Sequence, residues 1–173
     1  MIESVVADGP DGLSPSQISS AVAKCYALAR SAPPPTRRPA APSKKVLILP
    51  PDYTRYHSQS GLLTQHLHRE LLAAGDSLSA VMPALGTHAP MTAAQIGHMF
   101  GPELAGAEGL FRVHDWRNDV KTIGHVPAEL VAAATDGYVD EEWPAQLNKL
   151  VWGDGEGGPH DLVFSVGQVV PHE

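Results

Sequence analysis

The chain has 173 residues, enough for one domain with a sizeable core. Hydrophobic residues make up 43% and charged residues 18%, and the net charge is -7 without a basic stripe, which excludes a disordered chain and argues against nucleic acid as a partner. No apolar run approaches the roughly 20 residues that span a bilayer, the N-terminus lacks a signal-peptide pattern, and the single Cys25 forbids an internal disulfide, so a cytoplasmic protein with no membrane contact is expected.

Ser14-Pro15-Ser16-Gln17 predicts a helix to about Arg30, with Ser14 as N-cap and Pro15 in the first turn. Ile18, Val22, Tyr26 and Leu28 are its expected apolar side, and Cys25 is read as a small buried side chain. Ser31 to Ser43 holds five prolines and two arginines and reads as an extended linker or a strap across the surface. Residues 1–44 are thus expected to be a helix and linker, and residues 45–173 an α/β domain. Val46 to Leu49 reads as a short buried strand. Gly61 to Ala74 is predicted helical and stops at Gly75. Leu78 to Ala84 is the next strand, and Thr92 to Phe100 a short helix capped by Thr92. Leu110 to Val113 and Lys121 to Ile123 read as strands, and Pro127 to Ala134 as one or two helical turns. Leu147 to Trp152 and Leu162 to Val166 are the last expected strands, joined by an acidic, Gly-rich loop over Gly153 to Pro159.

Strands alternating with helices predict an α/β fold, three-layered and Rossmann-like, with a mainly parallel sheet. Ligands of such sheets bind beyond the carboxyl ends of the strands. Three strand ends here carry reactive side chains: Asp52-Tyr53-Thr54-Arg55, Gly86-Thr87-His88, and Val170-Pro171-His172. Imidazole takes and returns a proton near neutral pH. Spacing alone leaves His88 and His172 open to two readings, as proton carriers or as loop histidines bonding the backbone. Arg55 has the planar fork that binds a carboxylate or phosphate. By spacing, Asp52 to Arg55 is equally a capped turn with a local Asp–Arg pair. His114-Asp115 reads as a structural loop, because adjacent side chains point different ways. No helical histidine pair, Cys/His zinc pattern, P-loop or Gly-x-Gly-x-x-Gly is present, so no metal ligand is assigned. The absence of Gly-x-Ser-x-Gly weakens a hydrolase reading.

Taken in order, Asp52-x-Thr54-Arg55, Gly86-Thr87-His88-x-Pro90-Met91-Thr92, His114-Asp115 and Gly167-x-Val169-x-Pro171-His172 resemble the N-terminal domain of the lactate racemase family, from about Lys44 to Glu173. These are nickel-pincer-nucleotide-dependent racemases and epimerases of 2-hydroxy acids. The resemblance implies His88 and His172 as the two catalytic acid/bases and Arg55 as the residue orienting the substrate carboxylate. It implies Asp52, Thr54, Gly86 and Thr87 as contacts of the cofactor nucleotide. Hydride transfer from the chiral carbon to the cofactor, through a planar 2-keto acid, is the chemistry implied.

Three residues depart from the family pattern: Tyr56 replaces a proline, Ala89 an arginine and Val170 a glutamate. The resemblance also implies a cofactor-tethering lysine, a nickel-binding histidine and a C-terminal domain beyond Glu173. This chain alone is therefore expected to be a catalytically silent fragment that does not bind the nickel-pincer nucleotide by itself. The competing reading is a non-catalytic nucleotide- or small-ligand-binding module that keeps the Asp52/Arg55 and Gly86/Thr87 loops.

Overall fold

The computed structural model describes residues 4–33, 42–154 and 158–168. They form α1 (Pro15–Ser31), β1 (Lys45–Leu49), a 3-10 turn (Tyr53–Ser58), α2 (Ser60–Ala73), β2 (Ser77–Val81) and α3 (Ala93–Ala105). Then follow β3 (Val120–Val126), α4 (Ala128–Ala134), β4 (Trp143–Asn148), α5 (Lys149–Trp152) and β5 (Leu162–Ser165). Most of the proline-rich linker, the centre of the Gly-rich loop, and Val170, Pro171 and His172 lie outside the described residues. The chain divides into two compact units, Met1–Val113 with His160–Glu173, and His114–Pro159.

The first unit is built on a parallel sheet of order β2-β1-β5, as the alternating pattern predicts. Val46 and Ile48 of β1 share a core with Val22 and Tyr26 of α1 and Leu67 and Leu71 of α2. Leu47, between them, is also fully buried, so the central strand is covered on both faces. Each such aliphatic side chain contributes about 1.5–3 kcal/mol by leaving water.

Helix α1 starts as its sequence predicts. Ser14 accepts from the Gln17 N–H at 3.3 Å, and the Gln17 side chain accepts from the Ser14 N–H at 2.8 Å, a complete capping box. The Tyr26 hydroxyl donates to Asp76, which also accepts from Arg30 Nε at 2.8 Å and the Lys44 N–H at 2.7 Å. This network ties α1 to the segments that open β1 and β2, so the helix belongs to the same unit as the sheet. Cys25 is exposed rather than buried. It sits one residue, about 100° of helix, from the inward line of Val22 and Tyr26.

Helix α2 ends at the expected glycine, with Gly75 N–H on Leu72 O and Asp76 N–H on Leu71 O. Helix α3 has the Thr92–Gln95 capping box at its start but runs past the predicted end at Phe100. It bends there instead, at Gly101 and Pro102.

The expected strand Leu110–Val113 is reduced to one bridge between Phe111 and Val81. Leu110 O and the Arg112 N–H pair with Val81, where β2 ends, and the Pro83 that follows has no N–H to extend the ladder.

The second unit carries the antiparallel pair β3–β4 and the short helices α4 and α5. The expected strand over Leu147–Trp152 is corrected to the end of β4 followed by α5. The Asn148 side chain accepts from the Leu150 N–H at 2.8 Å and starts the helix. Asp115 caps its own turn through the Arg117 and Asn118 N–H groups, and His114 Nδ1 pairs with Asn148 Nδ2 at 2.9 Å. That loop has the structural role read from its sequence. Among the described residues no helix is long and apolar enough to cross a membrane.

Candidate functional site

The parallel register of β1 and β2 assembles the site. Beyond the strands proper, Met82 N–H bonds Ile48 O, Ala84 N–H bonds Pro50 O at 2.7 Å, and Ala84 bridges Pro51. The loop after β1 and the loop after β2 therefore leave the same edge side by side. The first opens the 3-10 turn at Asp52. The second forms a four-residue turn closed by the His88 N–H on Leu85 O at 2.9 Å.

Gly86 takes φ +57° in that turn and Thr87 does not take a positive φ, so the turn belongs to the class with its glycine at the first central position. A Cβ on Gly86 would meet nothing within 4 Å, so backbone conformation and not crowding selects glycine here. Among the described residues the N–H groups of Gly86 and Thr87 have no hydrogen-bond partner, and both residues are exposed.

The turn delivers His88 to Asp52. His88 Nδ1 lies 2.6 Å from Asp52 Oδ2, with the imidazole 58% exposed and the carboxylate 8%. Oδ1 of Asp52 accepts from the Thr54 N–H at 3.1 Å and from Thr54 Oγ1 at 2.5 Å. Burial works to raise the Asp52 pKa, but the hydrogen bonds from the Thr54 side chain, His88 and the Thr54 backbone outweigh it and hold the carboxyl below its usual range. Asp52, Thr54 and His88 line one cavity of about 440 Å³ with Tyr53, Pro90 and Met91.

Arg55 follows in the same 3-10 turn, half-buried, and its side chain has no hydrogen bond or ion pair among the described residues. The capped turn read from Asp52 to Arg55 is present, but the local Asp–Arg pair is not. Thr54 and His88 take the carboxylate instead. His172 lies outside the described residues.

Two relationships escaped the sequence. The Asp52–His88 pair joins residues 36 apart, which only the strand register brings together. The Tyr53 hydroxyl meets His98 Nδ1 at 2.7 Å, and Tyr56, the residue in the family's proline position, stacks on the His98 ring with centroids 4.6 Å apart. The i, i+3 spacing of Tyr53 and Tyr56 around Arg55 was the available signal for that cluster. No group of three or more His, Cys, Asp or Glu able to hold a metal ion occurs among the described residues.

No curated protein matches the chain. A crystal structure of a Thermotoga maritima protein superposes with a TM-score of 0.72 at 24% identity, over 94% of this chain and 34% of that one, and establishes the fold. The lactate racemase apoprotein from Thermoanaerobacterium thermosaccharolyticum aligns at 22% identity over 83% of this chain and 31% of that one, with a TM-score of 0.47. The chain thus spans about a third of the length of each. The family model of the lactate racemase N-terminal domain matches residues 19–135, more than half of the chain, and includes the first two loops of the site. The chain belongs to the family of lactate racemase N-terminal domains.

Proposed function

We propose that the chain is the N-terminal part of a nickel-pincer-nucleotide-dependent racemase or epimerase of 2-hydroxy acids. Because the chain spans a third of the solved structures it matches, the activity is proposed for the complete enzyme, with a C-terminal domain as partner. The observation that carries the reading is the Asp52–His88 pair on the wall of a cavity at the carboxyl edge of the sheet.

The residues present suit the nucleotide side of the cofactor. The exposed Gly86-Thr87 turn offers N–H groups that have no partner among the described residues, as anion-binding turns do, and Thr54 lines the cavity beside it. The nickel is not assigned to any described residue. Hydride acceptance from the chiral carbon is the chemistry that such a cofactor supplies when bound.

The chain's own residues handle the carboxylate and the protons. Arg55 holds the substrate carboxylate through two parallel hydrogen bonds, which fixes the chiral carbon relative to His88. His88 takes the hydroxyl proton of one enantiomer on Nε2, the ring nitrogen turned away from Asp52. His172 serves the other enantiomer. Two proton carriers suit a reaction whose substrate and product are mirror images.

Substitution of His88 or His172 by Ala in the complete enzyme tests the reading. Racemisation falls by about 100-fold or more, the scale of a lost general acid/base. A ligand-binding module would keep its ligand and show no chemistry in the wild type either. Undiminished racemisation in both variants removes the two histidines from proton transfer, and no racemisation of any 2-hydroxy acid by the cofactor-loaded wild type sinks the racemase reading.

A further inference from the structure

The resemblance implies Asp52 as a contact of the cofactor nucleotide. Its hydrogen bonds point elsewhere. We infer that Asp52 is a positioning residue for His88, which locks the imidazole with its proton on Nδ1 and leaves the Nε2 lone pair facing the cavity. This inference rests on the racemase reading for its functional meaning, but its structural content stands apart from it.

An ionised carboxylate accepts at about four lone-pair positions and donates nothing. Oδ1 already takes the N–H and Oγ1–H of Thr54, and Oδ2 takes His88 Nδ1. The carboxylate is buried, so a further ligand has little access to it. An ionised, buried carboxylate also repels a nucleotide phosphate. Toward His88 the same charge is an advantage. Because Asp52 cannot donate, the 2.6 Å contact requires the proton to sit on Nδ1. The ring is thereby fixed in orientation and tautomer, while the imidazole as a whole stays 58% exposed.

Thr54 completes the device. Both of its donors hold Oδ1 as an acceptor. In the Asp52→Asn variant the amide oxygen must therefore occupy the Oδ1 place, and the NH2 group faces His88 Nδ1. A donor there repels an Nδ1–H, so the imidazole proton moves to Nε2. The shape of the site survives and the tautomer inverts. General-base action at Nε2 is then blocked.

The test is a tautomer measurement by 15N NMR of the imidazoles in the 173-residue chain, with the His88 signals assigned by their loss in His88→Gln. The wild type is expected to show a protonated Nδ1 and an unprotonated Nε2, and Asp52→Asn the reverse. Thr54→Val, which keeps Asp52 ionised, leaves the Nδ1 proton in place. A wild-type His88 protonated on Nε2, or a tautomer that Asp52→Asn does not change, overturns the inference without any need for cofactor.

In the complete enzyme, Asp52→Asn is expected to lower kcat by about 100-fold or more with a much smaller change in KM. A nucleotide contact would instead weaken cofactor retention and leave the tautomer unchanged. If the tautomer behaves as expected but the wild-type complete enzyme, loaded with cofactor, racemises no 2-hydroxy acid, the racemase reading fails and the positioning contact remains.

Discussion

Gly61 of α2 lies so close to the Met99 carbonyl of α3 that a Cβ placed on it would stand 1.9 Å from that oxygen. The two helices meet at backbone distance, and backbone atoms on both sides leave nothing flexible to yield. This crossing holds the start of α2, and with it the 3-10 turn that carries Asp52 and Arg55, against the helix that Thr92 caps. Gly61→Ala is expected to force the helices apart at a cost of about 1–3 kcal/mol, the usual range for overpacking. Urea unfolding checks it: a midpoint equal to wild type refutes the close approach.

Gly97 and Gly86 supply the contrast. Both have open space where a Cβ would stand, but only Gly86 has a positive φ. Gly97→Ala lies within helix α3 and is expected to stabilise by about 0.5–1 kcal/mol. Gly86→Ala is expected to destabilise by about 1–2 kcal/mol, with Gly86→Asn less harmful because Asn tolerates the left-handed region. The two alanine variants should thus shift the unfolding midpoint in opposite directions. A shift of the same sign in both removes the conformational argument for Gly86.

The Tyr26–Asp76–Arg30 network makes stability depend on pH at both ends. Burial works to raise the Asp76 pKa, but bonds from Arg30, Tyr26 and the Lys44 N–H outweigh it and leave the carboxyl below its usual value. A depressed carboxyl stabilises the fold above its unfolded pKa of about 4, and that contribution is lost as pH falls through the lower folded value. Burial first, and then the bond to Asp76, push the Tyr26 hydroxyl far above its ordinary range. A raised phenol stabilises fully below about pH 10, and its contribution declines as pH rises beyond that. Asp76→Ala strands the Tyr26 hydroxyl and the Lys44 N–H and is expected to cost about 2–3 kcal/mol. The Arg30 side chain is 36% exposed, so solvent screens its share. Thermal unfolding from pH 3 to 11 reads both effects, and in Asp76→Ala both slopes should flatten.

Arg55 is expected to act on substrate binding in the complete enzyme. On the proposed role, Arg55→Ala removes a charge-assisted bidentate contact of about 1.5–3 kcal/mol, which corresponds to a rise in KM of roughly 10- to 100-fold. Arg55→Lys keeps the charge but not the fork and should fall between. Steady-state kinetics with a 2-hydroxy acid decides. An unchanged KM in Arg55→Ala removes the arginine from the substrate site.

Much of the local structure was legible because its causes are local. Ser14 with Gln17, and Thr92 with Gln95, are capping boxes spanning four residues, and both helices start where those residues stand. The apolar run Val46 to Leu49 forms the buried central strand because four consecutive apolar residues suit a strand covered on both faces. Where a local signal was ambiguous, the reading failed. The run from Leu147 turned from strand to helix at Asn148, whose side chain caps where an apolar pattern alone predicted continued extension. Cys25 fell one residue outside the buried stripe of α1.

By itself the sequence determined the main strands and helices of the first unit, the Ser14 and Thr92 caps, the parallel α/β class and the loops that bear reactive side chains. All follow from periodicity, capping and turn chemistry acting over a few residues. Only the tertiary structure decided which of those side chains meet. Asp52 and His88 stand 36 positions apart and Tyr26 and Asp76 stand 50 apart, and no local pattern pairs them. The register of β1 against β2, carried on to Ala84 and Pro51, brings Asp52 and His88 within 2.6 Å. That register is set by which apolar side chains fill the shared core, a property of the assembled fold.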